Sequence, residues 1–313
     1  MTDVNLGQLA ASTLRNRPNE VSDSVTANNA LLAWYKKNRK FESYSGGRTF
    51  LLPINYAEAG AVKWYDGAQE GFAITPESVL DSSEWARKFW AGFVYFTEAE
   101  KQANKGQAAA VRLVENKITV LKATAANAFS TAMYNDGTTS NEIVGLQAQI
   151  ADNPTTGTLG GIDASTYTWW RNKYTVASTD DTTIRSKLVA LWLSTIRGTD
   201  KPDLLVAGTE RFTNYFDSLS DLQRFTTSDT ADVLNFEGLK FQSAMMLHDP
   251  NCNTERVYGI DTSDIVVGYD SGCNFALGDS RQVTNAFYEV QPVKWSGFVG
   301  IKRRESHFVL NGA

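Results

Sequence analysis

The clearest pattern of apolar and polar positions in the chain predicts one long amphipathic helix between Thr97 and Gly137. Apolar or small side chains recur in steps of three and four residues, which places them on one helix face: Val111, Val114, Ile118, Leu121, Ala125, Ala128 and Ala132. Thr97 and Glu100 have the spacing of a capping box, and Asp136-Gly137 is a typical helix stop. A helix from Gly106 to Asp136 would be about 45 Å long at 1.5 Å per residue. That length favours an elongated subunit over a compact domain.

Strand-like and helix-like segments flank this helix and place the chain in the α+β class. A short helix is predicted from Ala30 to Phe41, and an aromatic strand from Glu84 to Thr97 leads into the long helix. Beyond Gly137, a helix from Asp181 to Ile196 is followed by short strands, and the segment from Ala286 to Leu310 is strand-like throughout. The first 25 residues are polar and predict an extended arm.

The sequence from Arg48 to Gly67 predicts an exposed β-hairpin arm. Pro53 cannot donate to a neighbouring strand, which indicates an edge strand, and the segment from Ala61 to Tyr65 leads back to a turn at Asp66-Gly67. A two-stranded hairpin cannot bury its own apolar side chains. We therefore expect the arm to be mobile before assembly and then to lie across an adjacent subunit. The predicted interface residues are Leu51, Leu52, Ile54, Tyr56, Val62, Lys63, Trp64 and Tyr65.

The aromatic residues that precede the long helix allow two interpretations. They are Trp85, Phe89, Trp90, Phe93, Tyr95 and Phe96. One interpretation is a platform on which sugar rings stack, and the other is packing against the apolar face of the helix. The second is favoured because the strand and the helix are adjacent in sequence.

The strongest basic cluster of the chain consists of Lys36, Lys37, Arg39 and Lys40. It falls at the end of the first predicted helix, where cations suit the helix dipole, so a solvated helix end explains it. The alternative is a patch that contacts an acidic neighbour or a polyanion. The solvated helix end is slightly favoured.

Composition narrows the functional classes. The chain has 313 residues, 42% of them hydrophobic, with a net charge of −5 and a pI near 5.2. An acidic balance argues against a dedicated nucleic-acid-binding domain. The sequence contains neither a membrane-spanning apolar run nor a secretory signal pattern at its start. The chain has two cysteines, Cys252 and Cys273. So small a number suggests a reducing compartment, and a disulfide bond between them is not favoured.

The sequence contains no pattern that predicts catalysis, a cofactor or a metal. His248 and His307 stand outside any spaced ligand cluster, and His248 is expected in a solvated loop. The glycines at 157–161 lack the lysine or helix start of a phosphate-binding loop, and there is no nucleophile elbow. Asp180-Asp181 is explained as a helix cap. We therefore expect a protein that is not an enzyme.

The order of elements and several local runs resemble the major capsid proteins of tailed bacteriophages, the Hong Kong ninety-seven capsid fold. The order is a polar arm, a hairpin with Lys63-Trp64-Tyr65 near its tip, an aromatic strand, a long helix and a Gly-rich entry to a second domain. The similar runs are those at 133–137, 160–163, 167–172 and 236–241. The resemblance covers most of the chain.

This resemblance implies an N-terminal arm at 1–43, an extended loop at 44–79, a peripheral domain at 80–137 and 286–313 that contains the long spine helix, and an axial domain at 138–285. It implies self-assembly through hexamers and pentamers into an icosahedral shell around double-stranded DNA that is bound without sequence specificity. The location implied is the virion, with assembly in the host cytoplasm. A cleaved scaffolding segment is not expected in this chain, which leaves a separate scaffold, portal or decoration protein as open partners. The alternative function is a carbohydrate-binding or carbohydrate-cleaving β-rich protein, suggested by eight Trp and twelve Tyr residues.

Overall fold

The computed structural model describes residues 30–58, 60, 62, 64, 78–103, 107–176, 178, 180, 182–219, 238–283 and 287–312. The predicted N-terminal arm up to residue 29 lies outside these residues, and so does much of the tip of the hairpin arm. The helices are α1 (Ala30–Lys37), α2 (Glu98–Ala103), α3 (Gln107–Met133), α4 (Leu146–Gln149), α5 (Ile184–Thr195) and α6 (Thr209–Ser218), with a 3-10 turn at Thr168–Trp170.

Most strands belong to two six-stranded sheets, and the others form two separate pairs. The strands are β1 (Phe41–Tyr44), β2 (Thr49–Asn55), β3 (Leu80–Ala86), β4 (Lys88–Thr97), β5 (Thr158–Leu159), β6 (Ile162–Asp163), β7 (Lys173–Val176), β8 (Leu204–Ala207), β9 (Gly238–Phe241), β10 (Ala244–His248), β11 (Arg256–Ile260), β12 (Ile265–Asp270), β13 (Ala276–Leu277), β14 (Arg281–Gln282), β15 (Tyr288–Ile301) and β16 (Phe308–Asn311).

The first sheet is built around β15, which pairs with β4 along its first ten residues and with β12 along its last five. β1 lies parallel to β12, and β13 and β14 are short strands beside β15. The helix α3 packs on this sheet, where Ile118 joins Val94 and Phe96 in one buried cluster. β4 alternates exposed and buried side chains, so one of its faces covers the helix and the other faces outward.

The second sheet has the order β7-β16-β11-β8-β10-β9 and is covered by α5 and α6. Ile184, Leu188 and Leu191 of α5 are buried against it. β15 belongs to the first sheet and β16 to the second, so the structure divides the segment 286–313 between them. β12, β13 and β14 in turn place part of the segment 138–285 in the first sheet.

The long helix is shorter than predicted, and the side of the helix that is buried changes along its length. The predicted capping box begins the separate short helix α2: the Glu100 side chain accepts from the Thr97 N–H at 3.0 Å, and the Glu100 N–H donates to Thr97 Oγ1 at 3.3 Å. The helix ends at Met133, and Gly137 follows at φ +77°. Ala128 is exposed, contrary to expectation, whereas Ala126, Phe129 and Met133 are buried where the helix passes from β4 to the main core.

The hairpin pairs differently from the prediction. β2 pairs with β3, from Thr49 opposite Ala86 to Asn55 opposite Leu80, and most of the predicted return segment 61–65 lies outside the described residues. The predicted strand from Glu84 to Thr97 is divided at Arg87, whose guanidinium forms an ion pair with Asp270 at 2.8 Å. The arm therefore has a longer base and a later return strand than the sequence indicated.

The cysteines and histidines occupy ordinary structural positions. Cys252 and Cys273 are both free thiols, as expected. His248 ends β10 and lies 3.1 Å from Thr209 Oγ1, so it is a strand residue and not the predicted loop residue. His307 is fully buried between β15 and β16.

Candidate subunit-contact surface

The base of the arm is fixed to the first sheet by side chains of its own chain. Phe50 stacks on Phe298 of β15 with ring centroids 4.3 Å apart. The Trp85 indole N–H donates to Ser83 Oγ at 2.9 Å, and the Ser83 hydroxyl donates to the carbonyl of Ile301 at 3.2 Å. A Cβ on Gly300 would lie 2.9 Å from the Trp85 indole nitrogen, so this approach needs glycine. The hairpin is thus anchored before any neighbour is present.

This anchoring corrects part of the predicted interface. Leu52 and Ile54 alternate with exposed residues along β2 and are buried in the core of their own chain. They do not need a neighbouring subunit to cover them, and they leave the set of interface residues. Tyr56 is half-buried: its ring stacks on Trp169 at 4.8 Å, and its hydroxyl donates to the Ser78 carbonyl at 2.6 Å. The sequence missed β3 as the strand that pairs with β2, because its Asp81-Ser82-Ser83 run is polar.

The outer side of the arm keeps an exposed apolar set. Leu51 on β2 and Leu80 on β3 point away from the core, Val62 is exposed, and Trp64 is fully exposed. Lys63 and Tyr65 lie outside the described residues. The predicted contact role of the arm therefore rests on Leu51, Val62 and Trp64.

The aromatic strand β4 divides its side chains between two roles. Trp90, Val94 and Phe96 lie on the helix side, as the packing interpretation expected. Phe89, Phe93 and Tyr95 are 72%, 59% and 59% exposed on the other side. The packing interpretation is therefore wrong for these three residues. The alternation of positions along β4 could have identified these three residues from the sequence, since residues two apart share one face of a strand.

The basic cluster lies at the end of α1. Lys37 and Arg39 are exposed, and Lys40 is half-buried. The Lys36 side chain lies outside the described part of the chain. The Lys40 N–H donates to the Tyr35 carbonyl at 3.0 Å, and Arg39 has φ +53°. This is a Schellman-type helix end with arginine at the left-handed position that glycine usually occupies.

The long helix is joined to the second sheet by buried polar contacts at its C-terminal end. The Tyr134 hydroxyl donates to Asp249 Oδ2 at 2.8 Å, and Asn251 Nδ2 donates to Ser130 Oγ at 2.6 Å. Burial and the neighbouring Asp249 carboxylate raise the pKa of Tyr134 well above its usual value, so the phenol remains a donor. These contacts fix the direction in which the helix leaves the second sheet.

A second buried polar cluster holds the connection between β15 and β16. Arg303 forms ion pairs of 3.0 Å with Asp264 and with Asp200. His307 accepts the Asp261 N–H on Nδ1 at 3.0 Å. Burial, followed by the charges of Arg303 and Arg304, lowers the pKa of His307 to about 3. The histidine is therefore neutral at physiological pH and serves as a structural acceptor.

The described residues offer no assembled chemistry for a metal ion. Among them, no group of three or more His, Cys, Asp or Glu side chains could hold a cation. No helix in the same part of the chain is long and apolar enough to cross a membrane. The most distinctive surfaces are instead the apolar arm and the outer aromatic face of β4.

Solved structures with the same fold come from capsids and a virus-like particle. A capsid asymmetric unit of cyanophage A-1(L) matches with a TM-score of 0.65 and 11% identity over 88% of this chain and 90% of that chain. The capsid of a native GTA particle matches at 0.57 and 10% over 88% and 89%. A virus-like particle from Pyrococcus furiosus matches at 0.55 and 12% over 93% and 96%. The sequence matches no protein-family model and no curated protein at a significant level.

These similarities confirm the α+β fold expected from the capsid-protein resemblance. They extend over nearly the whole of both chains, so they concern the complete architecture and not one shared motif. At this level of identity they establish the fold alone. The positions of the arm, loop, peripheral and axial domains remain predictions.

Proposed function

We propose that this chain is a structural subunit of an icosahedral phage shell that encloses double-stranded DNA. The observation that carries the proposal is the match, over at least 88% of this chain, to subunits of capsids and of a virus-like particle. The chain forms hexamers and pentamers with copies of itself and acts without catalysis or a cofactor. Its location is the virion, after assembly in the host cytoplasm.

The surface of the chain supports this assignment over the carbohydrate alternative. A sugar platform requires exposed aromatic rings around a cleft with polar partners. Instead, Trp85 and Trp170 are buried in the main core. The exposed rings of β4 lie on a sheet face, and Trp64 lies on an arm. Apolar side chains displayed on projecting elements suit contacts between subunits.

The mass of the purified chain tests the proposed function. Light scattering and sedimentation should show rings of five or six subunits, or closed particles, in equilibrium with free subunits. A single species of monomeric mass at all concentrations, together with binding of an oligosaccharide, would contradict the proposal. If assembly requires a separate scaffold or portal protein, adding that protein should increase the number of closed particles.

The basic cluster at the end of α1 is proposed to contact the packaged DNA or an acidic neighbour. The double variant Lys37→Glu with Arg39→Glu should lower particle yield or DNA content, and more so at low salt, because ions screen exposed charges less there. Nuclease-protected DNA per particle is the measurement. The double variant Lys37→Gln with Arg39→Gln separates loss of charge from reversal. Unchanged yield and DNA content would reduce the cluster to a solvated helix end.

A further inference from the structure

The hairpin arm contacts its own chain at a second place, well beyond its base. The ring of Tyr56, the first residue after β2, stacks on Trp169 with ring centroids 4.8 Å apart and ring planes within 10° of parallel. The Tyr56 N–H donates to the Val79 carbonyl at 3.1 Å, so the pairing of the arm continues to this point. An extended chain from Phe50 to Tyr56 spans about 20 Å. The arm is therefore held at two separated points and not at its base alone.

Residues 157–171, here called the brace, contain β5, β6 and the 3-10 turn, and they lie beside β3 of the arm. The Gly160 carbonyl accepts the Glu84 N–H of β3 at 2.8 Å. Within the brace, β5 pairs with β6, and the Trp170 indole N–H donates to the Leu159 carbonyl at 3.0 Å. The brace is therefore a folded unit that contacts the arm both near its base and, through the stacked ring, at its outer end.

A buried arginine fixes the brace to the connection between β15 and β16. The Arg304 Nε donates to the Gln149 carbonyl at 2.7 Å, and its Nη1 donates to the Trp170 carbonyl at 3.2 Å. These two acceptors are the last carbonyls of α4 and of the 3-10 turn, which suit a cation. Burial lowers the pKa of Arg304 to about 10, so the side chain is still charged at neutral pH. A buried charge needs its hydrogen bonds, and these hold the brace in place.

We propose that the brace sets the direction of the arm, and that it acts through Trp169. The base of the arm is fixed to β15 through Phe50 and Ser83. An arm that swings about this base must therefore separate the rings of Tyr56 and Trp169. The arm segment beyond Tyr56, which includes the exposed Trp64, lies past the last point of support. Trp169 is a positioning residue, on which assembly depends although it contacts the arm of its own subunit.

Hydrogen exchange of the unassembled chain is the first test of the brace. In Trp169→Ala, the Tyr56 amide should exchange about 2- to 13-fold faster than in the parent chain, the change that corresponds to an aromatic contact of about 0.5–1.5 kcal/mol. The Arg87 amide, which donates to the Arg48 carbonyl at 3.3 Å at the arm base, should keep its rate. Trp169→Phe keeps an aromatic ring and should stay close to the parent.

Two further variants make the exchange result specific. Tyr56→Leu removes the same ring contact from the side of the arm, so the amide at position 56, corrected for its new side chain, should also exchange faster. This variant carries the test if Trp169→Ala does not fold. Trp192→Ala is the matched control, because Trp192 is also half-buried but packs against the second sheet. It should leave exchange of the Tyr56 amide unchanged.

Assembly is the second test, and it rests on the proposed function. Trp169→Ala and Tyr56→Leu should lower the yield of closed particles, whereas Trp192→Ala should not. The inference would be overturned by unchanged exchange at position 56 in both arm variants, by equal acceleration in Trp192→Ala, or by a parental particle yield from Trp169→Ala. Absence of particles from the parent chain would contradict the proposed function, and the exchange rates would still decide whether the brace holds the arm.

Discussion

Single residues decide which backbone positions of this subunit can pair and which are strained. Pro292 occupies a non-bonded position opposite β4, so the ladder between β4 and β15 continues without losing a hydrogen bond. Arg39 ends α1 in a left-handed conformation that costs a side-chain-bearing residue roughly 1–2 kcal/mol. His307 is held neutral in the buried polar cluster at the connection between β15 and β16. Each of the last two features has a measurable consequence.

The variant Arg39→Gly should raise the free energy of unfolding by about 1 kcal/mol, because glycine adopts a positive φ without the steric cost of a Cβ. Arg39→Ala removes the same charge but keeps the Cβ, so its stability should stay close to that of the parent. Denaturant unfolding of the unassembled chain measures both. Equal stabilisation by the two variants would mean that charge, and not backbone strain, limits this helix end.

Acid should destabilise the subunit through His307. Its folded-state pKa is about 3, below the usual value of 6.5. Between these two pH values the unfolded chain therefore binds a proton that the folded chain does not bind. Stability is therefore complete above the unfolded pKa and falls as the pH drops from about 6.5 towards 3, by at most about 1.4 kcal/mol per pH unit. His307→Gln should flatten this slope when unfolding free energies are compared between pH 8 and pH 4. An unchanged slope would exclude His307 as the titrating group.

At the scale of elements, the arm shows how two-residue alternation divides one strand between core and interface. The sequence correctly predicted the β2 strand, but it counted every apolar residue as exposed, because β3 begins with Leu80-Asp81-Ser82-Ser83 and does not resemble an apolar partner. Ser83 is buried through its hydrogen bond to β15, a tertiary effect that no local pattern contains. The period of its apolar residues predicted the long helix, whereas the predicted capping box begins α2. The residues that are buried change along the helix, because it packs first on β4 and then on the main core.

Trp64→Ala should weaken assembly and leave the unassembled chain equally stable, because this side chain is fully exposed. Trp85→Ala is the matched contrast: its indole is buried, and its loss should cost roughly 3–5 kcal/mol. Particle yield and thermal unfolding separate the two effects.

Hydrogen exchange should also find the arm segment protected in particles and unprotected in free subunits. Destabilisation of the free chain by Trp64→Ala, or equal protection in both states, would place the arm tip in the core.

In the whole molecule, one continuous core joins the base of the arm, the long helix and both six-stranded sheets. The largest buried cluster joins Phe50 of the arm base, Met133 of the long helix and residues of both sheets, including Phe298 and Val309. The base of the arm is therefore fixed to the same core as the long helix. The order of elements revealed this architecture in the sequence, whereas the contact surfaces required knowledge of which strands pair.

Cryo-electron microscopy of the purified chain decides whether it assembles into a shell. We expect closed shells built from hexamers and pentamers, with the hairpin arm of each subunit covered by a neighbouring subunit. Particles in which the arm contacts no other subunit would contradict the predicted role of the arm. A preparation that contains monomers alone under every condition of salt, pH and concentration would contradict the proposed shell itself.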